Sequence, residues 1–346
     1  MNTLIEDLRS GIEEAVIARA GAILRQGGLV AFPTETVYGL GANALDEQAA
    51  AKIYAAKGRP SDNPLIIHIA DWEAIHSIVA EIPDEAEKLA EAFWPGPLTM
   101  IFRKSEVVPL ATTGGLSTVA VRMPDHEIAR ALIRAGGGYV AAPSANTSGR
   151  PSPTKASHVA EDLNGVIEMI IDGGEVEIGL ESTIVDLTEG TPTILRPGYI
   201  NREMLEKVAG SVAVDKGLVR DDVRPKAPGM KYRHYAPKAQ LFIVEGTEQQ
   251  VRNRINELAG EAVRTGKKPG IIGTDESIEY YECGLVKSIG TRTDEITIAQ
   301  HLYGILREFD HSDISVIYSE SFETPNMGQA IMNRLFKAAG HQIIKG

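Results

Sequence analysis

The chain has 346 residues, of which 43% are hydrophobic and 24% charged, a composition typical of a globular protein with more than one core. A net charge of −12 argues against electrostatic wrapping of nucleic acid. The sequence contains no run of about 18 apolar residues, the length that a membrane-spanning helix needs. The single cysteine, Cys283, excludes an internal disulfide, and the acidic N-terminus lacks the pattern of a signal peptide, so we expect a cytoplasmic protein without membrane contact.

The first 210 residues alternate between helical and strand patterns. Apolar residues at helical spacing predict a helix over 11–26, and residues 29–32 are typical of a buried strand. Asp46 and Gly58 are suited to cap an alanine-rich helix that ends near Lys57. Further helices are predicted over 84–93 and 125–135, and further strands at 65–69, 98–102, 118–123, 139–142, 167–172, 182–187 and 193–196. The pattern predicts an α/β domain with a mixed sheet.

Two more regions follow. Residues 211–238 are rich in basic residues and prolines, which predicts a linker: either a surface strap between two domains or a lid over a site in the first one. From residue 239 to 346 a βαβαβα rhythm predicts a small, Rossmann-like parallel sheet, but no GxGxxG turn supports dinucleotide binding.

Three polar segments, each after an apolar run, carry the candidate chemistry: residues 33–39, 57–64 and 143–150. They combine hydroxyls, amides and cations with prolines and glycines, as expected of rigid loops that bind phosphate and a small zwitterion. The P-loop, kinase, GxSxG and HExxH patterns are absent from the sequence. The remaining ways in which these groups could catalyse a reaction are positioning and charge neutralisation, which are the main requirements of phosphoryl or nucleotidyl transfer.

Each signal also has a structural explanation. Lys57 and Arg59 end a helix, where the dipole favours cations. A lone strand arginine such as Arg122 is often an exposed edge residue, and His68, inside an apolar strand, is more often a core histidine that binds a backbone carbonyl. Ser144 and Asn146 also suit an ordinary Asx turn. The accumulation of these groups in one domain favours a binding site.

Five motifs together resemble the YrdC/Sua5 family: residues 32–40, 57–65, 94–99, 121–124 and 142–146. The C-terminal residues 330–334 and the segment 229–237 are similar to the second domain and the linker of its Sua5 members. The resemblance implies a YrdC-like twisted mixed sheet with a concave cavity over 1–210, a linker or lid over 211–238, and a Rossmann-like domain over 239–346.

The resemblance also implies an activity, nucleotidyl transfer that makes threonylcarbamoyl-AMP and pyrophosphate from L-threonine, bicarbonate and ATP with Mg²⁺. Downstream proteins would use the product for the t6A modification of tRNA, with which the chain itself would make indirect or weak contact. L-threonine is expected at Thr36, His68, Arg122, Ala142 and Ser182. ATP is expected at Arg59, Asn63, Thr118, Ser144, Ser152, Arg196, His234 and Tyr235, with Lys57 and Asn146 completing a catalytic set with Arg59 and Ser144.

Two other functions agree with the same fold class. A double-stranded RNA-binding or translation-associated module would use a concave surface, although the first 210 residues hold only 17 Lys and Arg against 29 Asp and Glu. A carbamoyl transferase of the hydrogenase-maturation kind would carry zinc-finger and acylphosphatase-like segments, and neither is visible in this sequence.

Overall fold

The structure of the chain is a computed structural model that describes residues 2–215 and 234–346. These residues form two compact units, one of 2–148 with 152–215 and the other of 149–151 with 234–346. Most of the predicted linker lies outside the described residues, so its role as a strap or a lid, and the domain limits at 210 and 239, stay predictions. In the two described ranges, no helix is long and apolar enough to cross a membrane.

The first unit contains an 11-stranded mixed sheet. Its strands are β1 (Leu4–Asp7), β2 (Val30–Phe32), β3 (Gly39–Asn43), β4 (Ile66–His68), β5 (Leu98–Arg103), β6 (Thr118–Arg122), β7 (Val140–Ala141), β8 (Met169–Asp172), β9 (Thr183–Asp186), β10 (Thr193–Arg196) and β11 (Ala213–Val214). Their spatial order is β1-β8-β2-β3-β7-β4-β6-β5-β9-β10-β11. Neighbours in space are mostly distant in sequence, so the sheet gathers strand ends from the whole unit.

Seven α-helices accompany this sheet among the described residues: α1 (Glu14–Arg25), α2 (Glu47–Lys57), α3 (Ile75–Ile78), α4 (Asp84–Phe93), α5 (Glu127–Ala135), α6 (Ala156–Leu163) and α7 (Arg202–Ala209). Alternate residues of the strands enter two different cores. Ala31 and Ile67 join the larger core with α2 and α4, while Val30 and Phe32 join a second core with α1 and α5. Because side chains alternate along a strand, these cores lie on opposite faces of the sheet.

The ends of α2 follow from two residues that the sequence analysis singled out. The Asp46 carboxylate accepts hydrogen bonds from the backbone N–H groups of Gln48 and Ala49, which have no partner within the helix. At the other end Gly58 has φ 59°, a left-handed conformation that glycine adopts without a Cβ clash. The two caps set where Lys57 and Arg59 emerge.

The second unit has a five-stranded, all-parallel sheet, as the alternating pattern predicts. Its order is β14-β13-β15-β12-β16, and helices follow three of the strands. The elements are β12 (Gln240–Glu245), α8 (Glu248–Arg264), β13 (Pro269–Gly273), β14 (Leu285–Ser288), α9 (Glu295–Asp310), β15 (Val316–Glu320), α10 (Gly328–Ala338) and β16 (Ile343–Lys345).

Candidate active site

A row of residues in register crosses the centre of the first sheet. His68 of β4 is opposite Arg122 of β6, which is opposite Thr99 of β5. Thr99 is opposite Ile184 of β9, and Ile184 is opposite Arg196 of β10. Residues in register point to the same face of a sheet, and strands are about 4.8 Å apart, so the two arginines start roughly 14 Å apart. The register shifts between Ile194 and Arg196, and the hydrogen bonds from Arg196 to Ser182 and between Ser182 and Thr99 show that Arg196 reaches the same face.

A hydrogen-bonded network connects the β10 end of this row. The Ser182 hydroxyl lies 2.7 Å from the Thr99 hydroxyl. Arg196 donates from Nη2 to Ser182 Oγ at 3.2 Å and from Nε to the Ser182 carbonyl at 3.0 Å. All three side chains are buried, which fixes the direction of the Arg196 guanidinium. The sequence analysis assigned Ser182 and Arg196 but missed Thr99, although Thr99 ends one of the five quoted motifs.

Arg122 is buried, so it is not the exposed edge residue that a lone arginine in a strand often is. It is 4% exposed, and its Nη2 lies 2.7 Å from Glu35 Oε2, a carboxylate that is 3% exposed. The contact is ionic without hydrogen-bond geometry, because neither carboxylate oxygen nor Nη2 has a hydrogen bond from the described residues. Glu35 is a second residue that the sequence analysis quoted in a motif without giving it a role.

His68 shows both features that the sequence analysis weighed. Its Nδ1 lies 3.1 Å from the Ile66 carbonyl, as in a core histidine, yet the residue also stands in the row beside Arg122. Burial first, and the charge of Arg122 second, lower the pKa of His68 to about 3. The imidazole is therefore neutral near pH 7, and it can offer a hydrogen bond but no charge to a ligand.

Lys57 holds the loop that follows β7. Its ammonium donates to the carbonyls of Ser144 and Asn146, and Nζ lies 3.4 Å from Asn146 Oδ1. The Ser144 hydroxyl donates to that same Oδ1 at 2.6 Å. Lys57 is only 2% exposed, so its charge stabilises the loop from inside and adds positive potential beneath it.

Arg59 and Asn63 share one turn after α2. The guanidinium donates to the Asn63 carbonyl at 3.3 Å and to the Pro64 carbonyl at 3.1 Å. Asn63 is 3% exposed, and its side-chain Oδ1 has no hydrogen bond from the described residues. Pro60 and Pro64 restrict the backbone of this turn, and it presents an amide whose carbonyl oxygen is available to a donor.

Of the other assigned residues of the first unit, three are buried and one is half-buried. Thr36 is fully buried, with its hydroxyl 2.9 Å from the Thr34 hydroxyl, and Ser152 donates to Glu181 Oε1 at 2.6 Å. The Ala142 N–H donates to the Ile66 carbonyl at 2.9 Å, so a backbone contribution of Ala142 to a ligand would come from its carbonyl. Thr118 is half-buried at the start of β6.

His234 and Tyr235 belong to the second unit. Their rings lie 5.5 Å apart, and the Tyr235 ring packs 5.1 Å from the Tyr303 ring. Tyr235 is buried and has φ 63°, which is uncommon for a residue other than glycine. Their predicted contact with nucleotide stays a prediction.

The fold and these residues define a class: an α/β protein whose central strands carry buried cations, hydroxyl groups and a neutral imidazole on one face of the sheet. A family model described as telomere recombination, for Sua5, YciO and YrdC, matches residues 22–198, and a model of the threonylcarbamoyl-AMP synthase C-terminal domain matches residues 200–340. The chain belongs to the Sua5/YrdC family, as the motifs indicate.

Relatives match along nearly the whole chain. The threonylcarbamoyl-AMP synthase of Pyrococcus abyssi is 54% identical over 99% of both chains, and that of Bacillus subtilis is 50% identical over 95% of this chain and 94% of its own. A crystal structure of P. abyssi Sua5 complexed with L-threonine superposes with a TM-score of 0.95 at 52% identity, covering 99% of this chain and 100% of the other.

Proposed function

We propose that the chain is a threonylcarbamoyl-AMP synthase, which converts L-threonine, bicarbonate and ATP into threonylcarbamoyl-AMP and pyrophosphate. The observation that carries the proposal is the row of His68, Arg122 and Arg196 on one sheet face. It places two buried guanidinium groups where an amino acid and a nucleotide could lie side by side. The names of the relatives, and the L-threonine bound to one of them, support the same activity.

L-threonine would occupy the β4–β6 end of the row. Arg122 would bind the carboxylate as a charge-assisted pair, and the neutral His68 would contribute a hydrogen bond. Thr36 and Ser182 would supply hydroxyl groups, and Ala142 its carbonyl. These groups match the carboxylate, ammonium and hydroxyl of the amino acid in kind.

ATP would contact Arg196 and the loop after β7. Arg59, Arg196 and the charge of Lys57 would neutralise its phosphates. The remaining contacts would come from Asn63, Thr118, Ser144, Asn146, Ser152, His234 and Tyr235. Mg²⁺ would arrive as part of the Mg·ATP substrate; within 2–215 and 234–346, no group of three or more His, Cys, Asp or Glu is arranged to hold a metal.

The residues suit chemistry that needs positioning more than covalent help. The α-ammonium of threonine first gives a proton to water. The free amine then attacks the carbon of bicarbonate, a C–O bond breaks, and the departing hydroxyl leaves as water with a proton from the nitrogen as the carbamate forms. A carbamate oxygen then attacks the α-phosphorus of ATP in line, and pyrophosphate departs with the electrons of the broken P–O bond. Juxtaposition of the anionic reactants, with guanidinium groups reducing their repulsion, would supply most of the rate enhancement.

Pyrophosphate release tests the activity. The full chain with bicarbonate and Mg·ATP should release pyrophosphate only when L-threonine is added, because the nucleophile is built from threonine. Equal release with serine, alanine or no amino acid would reject the assignment.

Arg59 tests the nucleotide site. Arg59→Ala should lose ATP binding in calorimetry while retaining its fold, whereas Arg103→Ala, which removes an exposed arginine of the same unit, should bind ATP normally. Unchanged ATP affinity in Arg59→Ala would remove this residue from the site.

The intermediate and the product of this reaction need protection from water. Both the carbamate and the mixed anhydride are labile in water, so a lid that includes Tyr235 would protect them. Tyr235→Ala should then shorten the lifetime of the intermediate, and an unaltered lifetime would leave the linker as a tether. In a cytoplasmic setting, downstream proteins would take the product for t6A modification, with tRNA contacting this chain indirectly or weakly.

A further inference from the structure

Glu35 is a buried charged group in the candidate site to which the reaction above assigns no task. Its backbone is fixed, since the Glu35 carbonyl accepts from the Ile178 N–H at 2.9 Å and the next carbonyl, that of Thr36, accepts from Gly179 at 3.0 Å. The side chain is 3% exposed and ends 2.7 Å from Arg122. The main chain that carries this carboxylate is therefore held in place beside Arg122.

Much of the hydrogen-bonding capacity of this ion pair is unused, although Arg122 Nε donates to the Gly96 carbonyl at 3.4 Å. Among the described residues nothing donates to Glu35 Oε1 or Oε2, and nothing accepts from Arg122 Nη2. Buried polar groups without partners cost about 1–3 kcal/mol each, and more when charged. A bound ligand that donates to the carboxylate and accepts from the guanidinium would recover this cost.

Nearby charge does not neutralise Glu35 in another way. His126, at the start of α5, interacts electrostatically with Glu35, Glu177, Glu127 and Asp125, but burial outweighs these carboxylates and lowers its pKa. Its Nδ1 is buried without a hydrogen bond from the described residues. His126 is therefore neutral near pH 7, and among residues 2–215 and 234–346 Arg122 is the cation that faces Glu35.

We infer that Glu35 binds the α-ammonium group of the amino-acid substrate while Arg122 binds its carboxylate. The ligand class is an α-amino acid zwitterion, whose two charged groups share one carbon and are therefore about as close as the Glu35 and Arg122 charges. Opposite charges set side by side select for a ligand with the same arrangement reversed. This inference rests on the proposed function and adds a specificity-determining residue to the threonine end of the row.

A cycle of two changes tests the contact. One change is Glu35→Gln, which keeps the size of the side chain and removes its charge. The other is in the ligand, an analogue of L-threonine in which a hydroxyl replaces the α-amino group. Each combination is titrated calorimetrically with the full chain. For wild type, the analogue should bind about 30-fold more weakly than L-threonine, a typical effect of losing a charged hydrogen bond.

The inference requires that the loss of affinity caused by Glu35→Gln and the loss caused by removing the α-amino group are not additive, because both changes remove the same contact. Glu35→Gln should bind L-threonine about 30-fold more weakly than wild type but bind the analogue within about threefold of wild type. If Glu35 only orients Arg122, both ligands weaken by the same factor, which overturns the inference. Unchanged L-threonine affinity in Glu35→Gln, or an analogue that binds wild type as tightly as L-threonine, also overturns it.

Controls separate the possible failures. Glu177→Gln removes an exposed carboxylate that also acts on His126, and it should bind both ligands as wild type does. If Glu35→Gln does not fold, Glu35→Asp, which withdraws the carboxylate by one methylene, replaces it in the cycle: it should weaken L-threonine but not the analogue, and equal weakening of both ligands overturns the inference. Absence of threonine binding and of threonine-dependent pyrophosphate release in wild type rejects the proposed function and this inference together, whereas additive losses in an active enzyme reject the inference alone.

Discussion

Acid should destabilise the first unit through His68. Burial and the charge of Arg122 lower the pKa of this imidazole to about 3 in the folded chain, against about 6.5 in the unfolded chain. The unfolded state therefore takes up the proton first as the pH falls. The contribution of the neutral His68 to the free energy of unfolding is fully present above about pH 6.5 and is lost progressively between that pH and about 3.

The expected size follows from the linkage of one proton. Stability changes by about 1.4 kcal/mol per pH unit inside the window, so lowering the pH from about 7.5 to 4.5 should cost about 2.5 kcal/mol through this residue. His68→Gln keeps a group able to hydrogen-bond the Ile66 carbonyl but removes the titration. The variant should lose about 2.5 kcal/mol less than wild type over the same range.

The assay is urea unfolding followed by tryptophan fluorescence. The chain has two tryptophans, Trp72 and Trp94, and both belong to the first unit, so the signal reports that unit. His76→Gln, which removes an exposed histidine, should follow wild type at every pH. Parallel stability curves for wild type and His68→Gln would refute the reasoning, since they would show that His68 does not link folding to protons.

Three further changes should give measurable effects. Asp46→Ala removes the side-chain cap of α2 and should cost about 1 kcal/mol in the same urea assay; an unchanged midpoint would mean that water caps the helix equally well. Lys57→Met leaves two loop carbonyls without their cationic donor and should cost about 3 kcal/mol and weaken ATP binding, so normal affinity for ATP would contradict its role in the loop. Gly198→Ala would place a Cβ 2.5 Å from the Thr183 nitrogen, and we expect a loss of about 3 kcal/mol; wild-type stability would show that the backbone there can shift freely.

Local signals predicted most of the regular elements. The caps of α2 and the span of α4 agree with the sequence, because capping and helical periodicity depend on residues within a few positions of one another. The strands β1 and β3 escaped notice. Three of the four β1 residues are exposed, and β1 pairs with β8 more than 160 positions away, while β3 has two glycines among its five residues.

The candidate site divides in the same way. Arg122, Ser182 and Arg196 stood out because cations and hydroxyls at strand ends are conspicuous in sequence. Glu35 and Thr99 did not, because their importance lies in contacts with residues 87 and 83 positions away. Residue type indicated which side chains are candidates for binding a ligand. Only the register of the strands showed which of these side chains lie next to one another on the sheet.

The row across the sheet also constrains how the chain can change in length. Successive residues of a strand face opposite sides, so deleting one residue inside β6 would turn Arg122 away from His68 and Arg196 and toward the apolar core around Val121. The connection between β5 and β6, residues 104–117, carries no residue of the row, and insertions there would leave the alignment intact. The row therefore constrains the number of residues within the strands from β4 to β10 more strictly than the lengths of the loops between them.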